Sequence, residues 1–319
     1  MKSDLIHTTV LLRESIDGLD IHPGDIYLDG TLGSAGHMAY ALEKMHGDIT
    51  VVGLDRDTEA LGRSEQRLSS YKSMANGKVH VPKIILREAS YGDIDKVLNE
   101  LASELGKDKI NRFMLDLGLS SDQFETSGRG FTFKNDEKLL MTFKKNPQEG
   151  DLTAHQIVNT WEEQNIADVI YGYGEEKYSR RIARAIINYR EKKAIETTGE
   201  LVEIIQQSVP GFYRRGRIHP ATRTFQALRI AVNDELNTLK KGLVKGFERL
   251  EEGGRIAVIS FHSLEDRIVK NFNKEKADAG EALIITKKPI VPTEKEIMEN
   301  PRSRSAKLRI LEKQSKINN

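Results

Sequence analysis

The chain has 319 residues, no cysteine, and 49 basic against 48 acidic side chains, for a formal net charge of +1. That length suits two domains or one domain with a large insertion. The lack of cysteine excludes a disulfide framework and any thiolate-held metal, and the near-neutral charge leaves only local patches to attract a polyanion. No apolar run approaches the roughly 18 residues of a membrane span, and the start lacks an apolar signal region, so a cytoplasmic location is expected.

The first strong signal in chain order is Asp25-Ile-Tyr-Leu-Asp-Gly-Thr-Leu-Gly-Ser-Ala-Gly-His37. Ile26, Tyr27 and Leu28 read as a buried strand ending in Asp29, and Gly30, Gly33 and Gly36 permit a sharp turn that a ligand can approach closely. A helix from about Gly36 to Met45 then presents free N–H groups, which suit phosphate or carboxylate. A second buried strand, Ile49 to Asp55, puts an acid where a ribose hydroxyl pair would bind. NAD and S-adenosylmethionine both carry that ribose. Asp29 favours the second, because it would attract the ammonium of the methionine moiety and repel a pyrophosphate. Glycines at every third position also depart from the dinucleotide pattern. The plainer alternative is an ordinary strand-to-helix turn with Asp29 as a helix cap.

Further strands are predicted over Val79 to Leu86 and Ile110 to Asp116, with helix or loop between, which argues for a parallel, doubly wound sheet. Residues 120 to 216 show no convincing strand and read as loop followed by helices, an inserted helical domain. An amphipathic helix is predicted from Thr224 to Leu250, with Leu228, Val232, Leu236, Leu239, Leu243 and Phe247 at spacings of three and four. Gly253-Gly254 ends that unit, Arg255 to Phe261 is the next buried strand, and 282–286 and 307–311 are candidate closing strands. The expected division is therefore 1–119 with 217–319 as the sheet domain, and 120–216 as the insertion. Ligands of open α/β sheets bind beyond the strands' carboxyl ends, so Asp29, Asp55, Asp116 and the stretch 260–262 mark the expected site.

Basic residues cluster in Tyr178 to Tyr189, in Phe212 to Val232, which holds five arginines and no acid, and in Asn300 to Arg309. Each alone reads most simply as a solvated face. Together, with Phe212, Tyr213 and Phe225 interleaved in the second, they suit a polyanion whose bases stack.

Eight motifs, His7-Thr-Thr-Val-Leu-Leu12, Asp29 to His37, Asp116-Leu-Gly-Leu-Ser-Ser121, Arg129-Gly-Phe-Thr-Phe133, Tyr173-Gly-Glu-Glu-Lys177, His219 to Ile230, Ser260 to Lys270 and Asn300 to Arg309, follow one another along nearly the whole chain. In that order they resemble the bacterial 16S rRNA cytosine-N4 methyltransferase family, the MraW or RsmH type. The resemblance implies an α/β fold of the class I (Rossmann-like) S-adenosylmethionine-dependent methyltransferases with an inserted helical domain. It implies methyl transfer from S-adenosylmethionine to the exocyclic N4 of a decoding-centre cytidine in 16S rRNA of the small ribosomal subunit. Neither DNA nor membrane is an expected partner, and monomer and homodimer both stay open. By position, the family's cofactor contacts fall on Ala35, Gly36, His37, Asp55, Tyr91 (or Ser90 if the alignment slips by one), Asp116 and Gln123. Catalysis is expected at Asp116, Ser120 and Ser121, without a metal.

The chain departs from the family in three places. Ala35 stands for a usual glycine, Asp122 for a usual proline, and Lys138-Leu-Leu-Met-Thr-Phe-Lys144 for P-L-D-M-R-M-D, so that an acid and an arginine become Leu140 and Thr142. No general base is singled out. The rival reading is a non-catalytic rRNA-binding assembly factor of the small subunit that keeps a cofactor-shaped pocket; an NAD oxidoreductase is more distant.

Overall fold

Seven short runs rich in Ile, Val and Leu pair into one sheet in the computed structural model, which describes residues 9–72, 80–119, 124, 127–144 and 147–315. They are β1 (Ile26–Asp29), β2 (Thr50–Asp55), β3 (Lys83–Glu88), β4 (Ile110–Asp116), β5 (Leu250–Ser260), β6 (Ala282–Ile284) and β7 (Lys307–Lys313), in the order β3-β2-β1-β4-β5-β7-β6. The first five are parallel, and β7 runs antiparallel to β5 and β6. The sheet is thus mixed rather than wholly parallel.

Successive strand residues point to opposite faces, and the sequence fills both. Leu28, Val52, Leu54, Phe113, Leu115, Ile256 and Val258 face a core closed by α4 (Ile94–Leu105), α11 (Glu235–Glu248) and α12 (Ser263–Asp278). Tyr27, Val51, Met114, Ala257, Ile259, Leu308 and Ile310 face a second core, closed by α1 (Leu12–Leu19), α2 (Gly36–Lys44) and α3 (Thr58–Lys72). Burial on both faces is why these strands read as unbroken apolar runs.

The chain divides into one unit of Met1–Gly118 with Leu236–Asn319 and another of Leu119–Glu235. The second holds α5 (Ala154–Thr160), α6 (Glu163–Gly174), α7 (Ser179–Arg190), α8 (Thr198–Ser208), the short α9 (Gly211–Arg214) and α10 (Ala221–Asn233), packed around Ile157, Ile166, Ile170, Ile182, Ile186, Leu201, Ile205 and Leu228. Thr153 with Gln156 and Thr197 with Glu200 form reciprocal caps at the starts of α5 and α8.

Two expectations change here. The single helix over Thr224 to Leu250 is two helices, α10 and α11, broken at Asp234, whose backbone is left-handed (φ 50, ψ 41) and whose N–H donates to the Ile230 carbonyl. Aspartate visits that region more readily than most residues, and the apolar spacing continues through the break, which hid it. Consequently α10 belongs to the helical unit, and the boundary falls at Glu235/Leu236 instead of 216/217. Gly253-Gly254 also does not precede the strand. The pairing steps from Ile110 with Leu250 to Arg112 with Arg255, so these glycines lie in a bulge inside β5, where Gly253 has φ +71.

Helix α11 meets the sheet through glycine. A Cβ on Gly246 would stand 2.3 Å from Phe113 Cε1, and Phe113 is fully buried. Gly246→Ala is expected to destabilise the protein by about 1–3 kcal/mol through overpacking. In urea unfolding the midpoint should drop with the slope unchanged.

Candidate cofactor site

In the sheet, β1 lies between β2 and β4, and the strand order reverses at β1 and β4, the place where open α/β sheets leave a crevice. Asp29 ends β1, Asp55 ends β2 and Asp116 ends β4, so three carboxylates stand at three adjacent strand tips. Thr31 ties two of them together. Its N–H donates to Asp29 Oδ1 at 3.0 Å, and its Oγ1 accepts from the Asp116 N–H at 2.6 Å while lying 3.5 Å from Asp29 Oδ1. Tyr27, wholly buried beneath, donates its hydroxyl to Asp29 Oδ2 at 3.4 Å.

The glycine turn hangs from Asp55. Gly33, at φ +53, donates its N–H to Asp55 Oδ2 at 2.9 Å, and Asp57 donates to Oδ1 at 2.9 Å. Ser64 Oγ donates to the Gly33 carbonyl at 2.8 Å, and the Arg67 guanidinium to Ser34 O at 3.1 Å. Ala35 then takes a left-handed conformation (φ 57, ψ 32) immediately before α2. This accounts for the usual glycine there, since a Cβ in that region costs about 1–2 kcal/mol. Gly36 is required for a different reason: a Cβ on it would lie 1.9 Å from Thr9 Oγ1 and 3.0 Å from Thr9 Cβ.

Electrostatically, burial raises all three acids, and neighbouring carboxylates add to it. Burial pushes the Asp29 carboxyl up to about 7, with the neighbouring Asp55 adding to it against the Thr31 hydrogen bond. Burial also raises Asp55, against the backbone donors from Asp57 and Gly33. Asp116 is raised well above the usual carboxylate range by burial, then by the charges of Asp29 and Glu265. Its side chain is 23% exposed as a whole, yet Oδ1 is enclosed and has no hydrogen-bond partner among the described residues, while Oδ2 lies 4.0 Å from Nδ1 of the buried His37. Among the described residues, no lysine or arginine pairs with any of the three.

The remaining expected residues are placed unevenly. Ala35, Gly36 and His37 sit at the start of α2, as the turn requires. Tyr91 follows β3, but its ring edge packs toward Gly242 of α11, where a Cβ would meet Cδ2 at 2.5 Å, and Ser90 caps the short turn at Tyr91–Asp93. Ser120, Ser121 and Gln123 lie outside the described residues. His262, at the end of β5, caps α12 in a reciprocal arrangement with Glu265, so the stretch 260–262 is at least partly structural. Thr9, Thr31 and Ser64 are not singled out by the sequence reading, and Tyr27 reads there only as a buried strand residue. Only the pairing of β1 with β4 brings Thr31 to Asp116, and no local pattern announces that.

The basic clusters also sort themselves. Arg229 forms a two-pronged pair with Glu235 at 2.8 Å on both arms, and Arg309 and Lys307 both hold Asp266, at 2.7 and 3.1 Å. These three are structural. Arg180, Arg181, Arg184, Arg214, Arg215 and Arg217 are exposed. Arg129 is buried and donates to the Phe143 carbonyl at 2.6 Å. The altered segment 138–144 is held mainly by backbone contacts: Ala154 and His155 donate to Leu140 O and Leu139 O, and Asn233 bridges Met141 O and the Phe143 N–H. The buried Thr142 also takes part, its Oγ1 accepting the Lys144 N–H at 3.2 Å.

A ligand that suits three unneutralised acids carries positive charge and hydroxyl donors. A cation relieves their repulsion, and the lone pairs left on Asp55 can accept from a ribose. A pyrophosphate would add charge of the wrong sign. The sheet order, the strand-end acids and the turn between them suit an S-adenosylmethionine-dependent methyltransferase, and the family match assigns the chain to that class. Residues 4–314 match the model of the MraW methylase family. The chain belongs to that family. It is 41% identical over 322 residues to the ribosomal RNA small subunit methyltransferase H of Brevibacillus brevis, covering 96% of this chain and 98% of that protein. Looser likenesses join it to an rRNA methylase of Streptococcus thermophilus (13% identity, TM-score 0.43, 95% of each chain). A similar one joins it to a Streptococcus mutans protein described as a methyltransferase and solved with SAH (13%, TM-score 0.44, 96% and 99%).

Two outcomes test this site. Gly36→Ala should lower stability by about 1–3 kcal/mol, because Thr9 must shift. Ala35→Gly should stay within about 1 kcal/mol of the parent, since relief of left-handed strain is offset by a lost buried methyl and added chain entropy; thermal melting of the two variants gives the comparison. The second outcome concerns protons. A bound cation favours the ionised acids and lowers their pKa values, so S-adenosylmethionine should bind with proton release and with affinity that rises as pH climbs through about 7 at Asp29. In the free protein the same raised pKa makes stability fall between the unfolded value near 3.8 and about 7. Calorimetric binding enthalpies that do not vary with the buffer's ionisation enthalpy would contradict the assignment.

Proposed function

We propose that the chain transfers a methyl group from S-adenosylmethionine to the exocyclic N4 of a cytidine in the rRNA of the small ribosomal subunit, in the cytoplasm. The observation that carries this reading is Asp116: an enclosed, unpartnered carboxylate oxygen at the strand tip beside the cofactor acids. The near full-length relative, whose name gives small-subunit rRNA as its substrate, supports the substrate class. Among the described residues no helix is long and apolar enough to cross a membrane.

When bound, the cofactor supplies an electrophilic methyl on a sulfonium. Asp55 would hold its ribose, Ala35, Gly36 and His37 would line the turn beside it, and Asp29 would face its cationic end. Tyr91 would border the base from the end of β3. Cytosine N4 is a weak nucleophile because its lone pair is delocalised into the ring. The N–C bond forms as the S–C bond breaks, a thioether leaves, and N4 loses one proton. The protein's task is alignment and acceptance of that proton. The Asp116 carboxylate, 23% exposed as a side chain, accepts a hydrogen bond from the amino group and, when ionised, takes the proton. His37, 4.0 Å from Oδ2, stabilises the ionised carboxylate when protonated. The cytidine must leave its stack to reach such a pocket.

The assay is methyl transfer to small subunits purified from cells lacking the enzyme, with the product nucleoside identified by mass spectrometry. N4-methylcytidine is expected. Asp116→Asn should lower kcat by roughly a hundredfold or more, since it keeps the shape but cannot accept the proton. A methyl on another atom would overturn the specificity. Cofactor binding with no transfer by the parent would favour the assembly-factor alternative.

A further inference from the structure

On the helical unit, two large apolar side chains of one arginine-rich run, Phe212 and Ile218, stand in the open, and the first is aromatic. Phe212 is 65% exposed on the four-residue helix α9, within the run Phe212 to Val232 that contains no acid. Arg214, Arg215 and Arg217, two to five residues further on, are exposed as well. The guanidiniums of Arg214 and Arg215 lie 3.7 and 3.9 Å from where a Cβ on Gly211 would sit, so two cations bracket the residue that precedes Phe212.

So small a helix has no stability of its own, and the adjacent Tyr213 supplies it. Its hydroxyl donates to Glu176 Oε2 at 2.5 Å, and Glu176, fully buried, also accepts the Tyr178 N–H at 2.8 Å. The Tyr213 ring meets Tyr178 edge-on at 4.9 Å, and Lys177 Nζ lies 5.2 and 5.5 Å from the two ring centres. Burial and Glu176 push the Tyr213 hydroxyl up to about 12, so it remains a donor at any physiological pH. Neighbours on a helix point about 100° apart. With Tyr213 pinned inward, Phe212 is held outward.

We propose that Phe212 is a stacking platform for one unpaired base of the RNA, with Arg214, Arg215 and Arg217 on the phosphates beside it. A planar apolar face followed by exposed guanidiniums matches a nucleotide strand, in which every base has a π-face and every linkage a charge. The exposed apolar groups of this run, the Phe212 ring and Ile218, are separated in sequence by three arginines and are poorly suited to a protein interface, whose core is depleted of charge. This inference rests on the rRNA reading above and specifies a contact outside the cofactor site.

The probe is a single-stranded fragment of small-subunit rRNA, with a duplex of the same sequence as control. Phe212→Ala should weaken single-strand binding about tenfold and leave its salt dependence unchanged, because stacking releases no counterions. Replacing Arg214, Arg215 and Arg217 together by Gln should weaken binding and reduce the salt slope by about 2. S-adenosylmethionine affinity and melting temperature should match the parent in both. In Phe212→Trp, new emission above that of Trp161, the only tryptophan, should be quenched by the single strand and little changed by the duplex. Parental RNA affinity in Phe212→Ala, or equal quenching by duplex, overturns the platform. A loss confined to whole subunits, with naked rRNA bound normally, also overturns it and assigns the ring to a ribosomal protein. If the parent transfers no methyl while these Phe212 effects hold, the platform stands and the enzymatic reading falls.

Discussion

Like charges gathered where water is scarce constrain this protein more than any other feature. Asp29, Asp55 and Asp116 end three adjacent strands, and no lysine or arginine among the described residues neutralises them. A fold optimised only for stability would place an apolar residue or a paired cation there. Backbone and hydroxyl donors from Thr31, Gly33, Asp57 and Tyr27 hold Asp29 and Asp55 in position without supplying a counter-charge. The result is a site whose most favourable occupant is positively charged at one end and rich in hydroxyl donors at the other, and the glycine turn, the Thr9 contact and the reversal in strand order all serve to shape it.

Much of the frame was legible because both faces of the sheet are buried. Strands such as Val51 to Leu54 and Phe113 to Leu115 are apolar throughout, and each ends in an acid that stands out. The turn was legible for a similar reason, since Gly33 and Gly36 answer separate steric demands. What stayed hidden depended on long-range pairing or on a single backbone angle. Thr31 reaches Asp116 only because β1 and β4 are neighbours. The antiparallel β7 depends on how a connection returns, and the break at Asp234 is one residue inside an otherwise continuous apolar period. The loop after Asp116 carried several expected residues, and Ser120, Ser121 and Gln123 lie outside the described chain.

Charge runs were the least informative signal until partners could be named. Arg229 and Arg309 sit in the same sequence clusters as the exposed Arg215 and Arg304, but an acid distant in sequence or just past the cluster's end holds each of the first two. The surviving exposed arginines are fewer and more local than composition suggested. In the segment 138–144, backbone carbonyls and amides carry most of the bonding, and the buried Thr142 hydroxyl adds one more by accepting the Lys144 N–H.

Ala35 carries a consequence for how the site meets its ligand. A glycine in the left-handed turn before α2 would be free to leave that conformation whenever the site is empty. Alanine reaches it at a cost, but its methyl is fully buried and its unfolded alternatives are fewer. The ordering of the turn is therefore met largely when the chain folds, and less of it remains to oppose ligand capture. In kinetic terms, the site should behave as a rigid receptor, with affinity differences among cofactor analogues expressed mainly in how fast they leave.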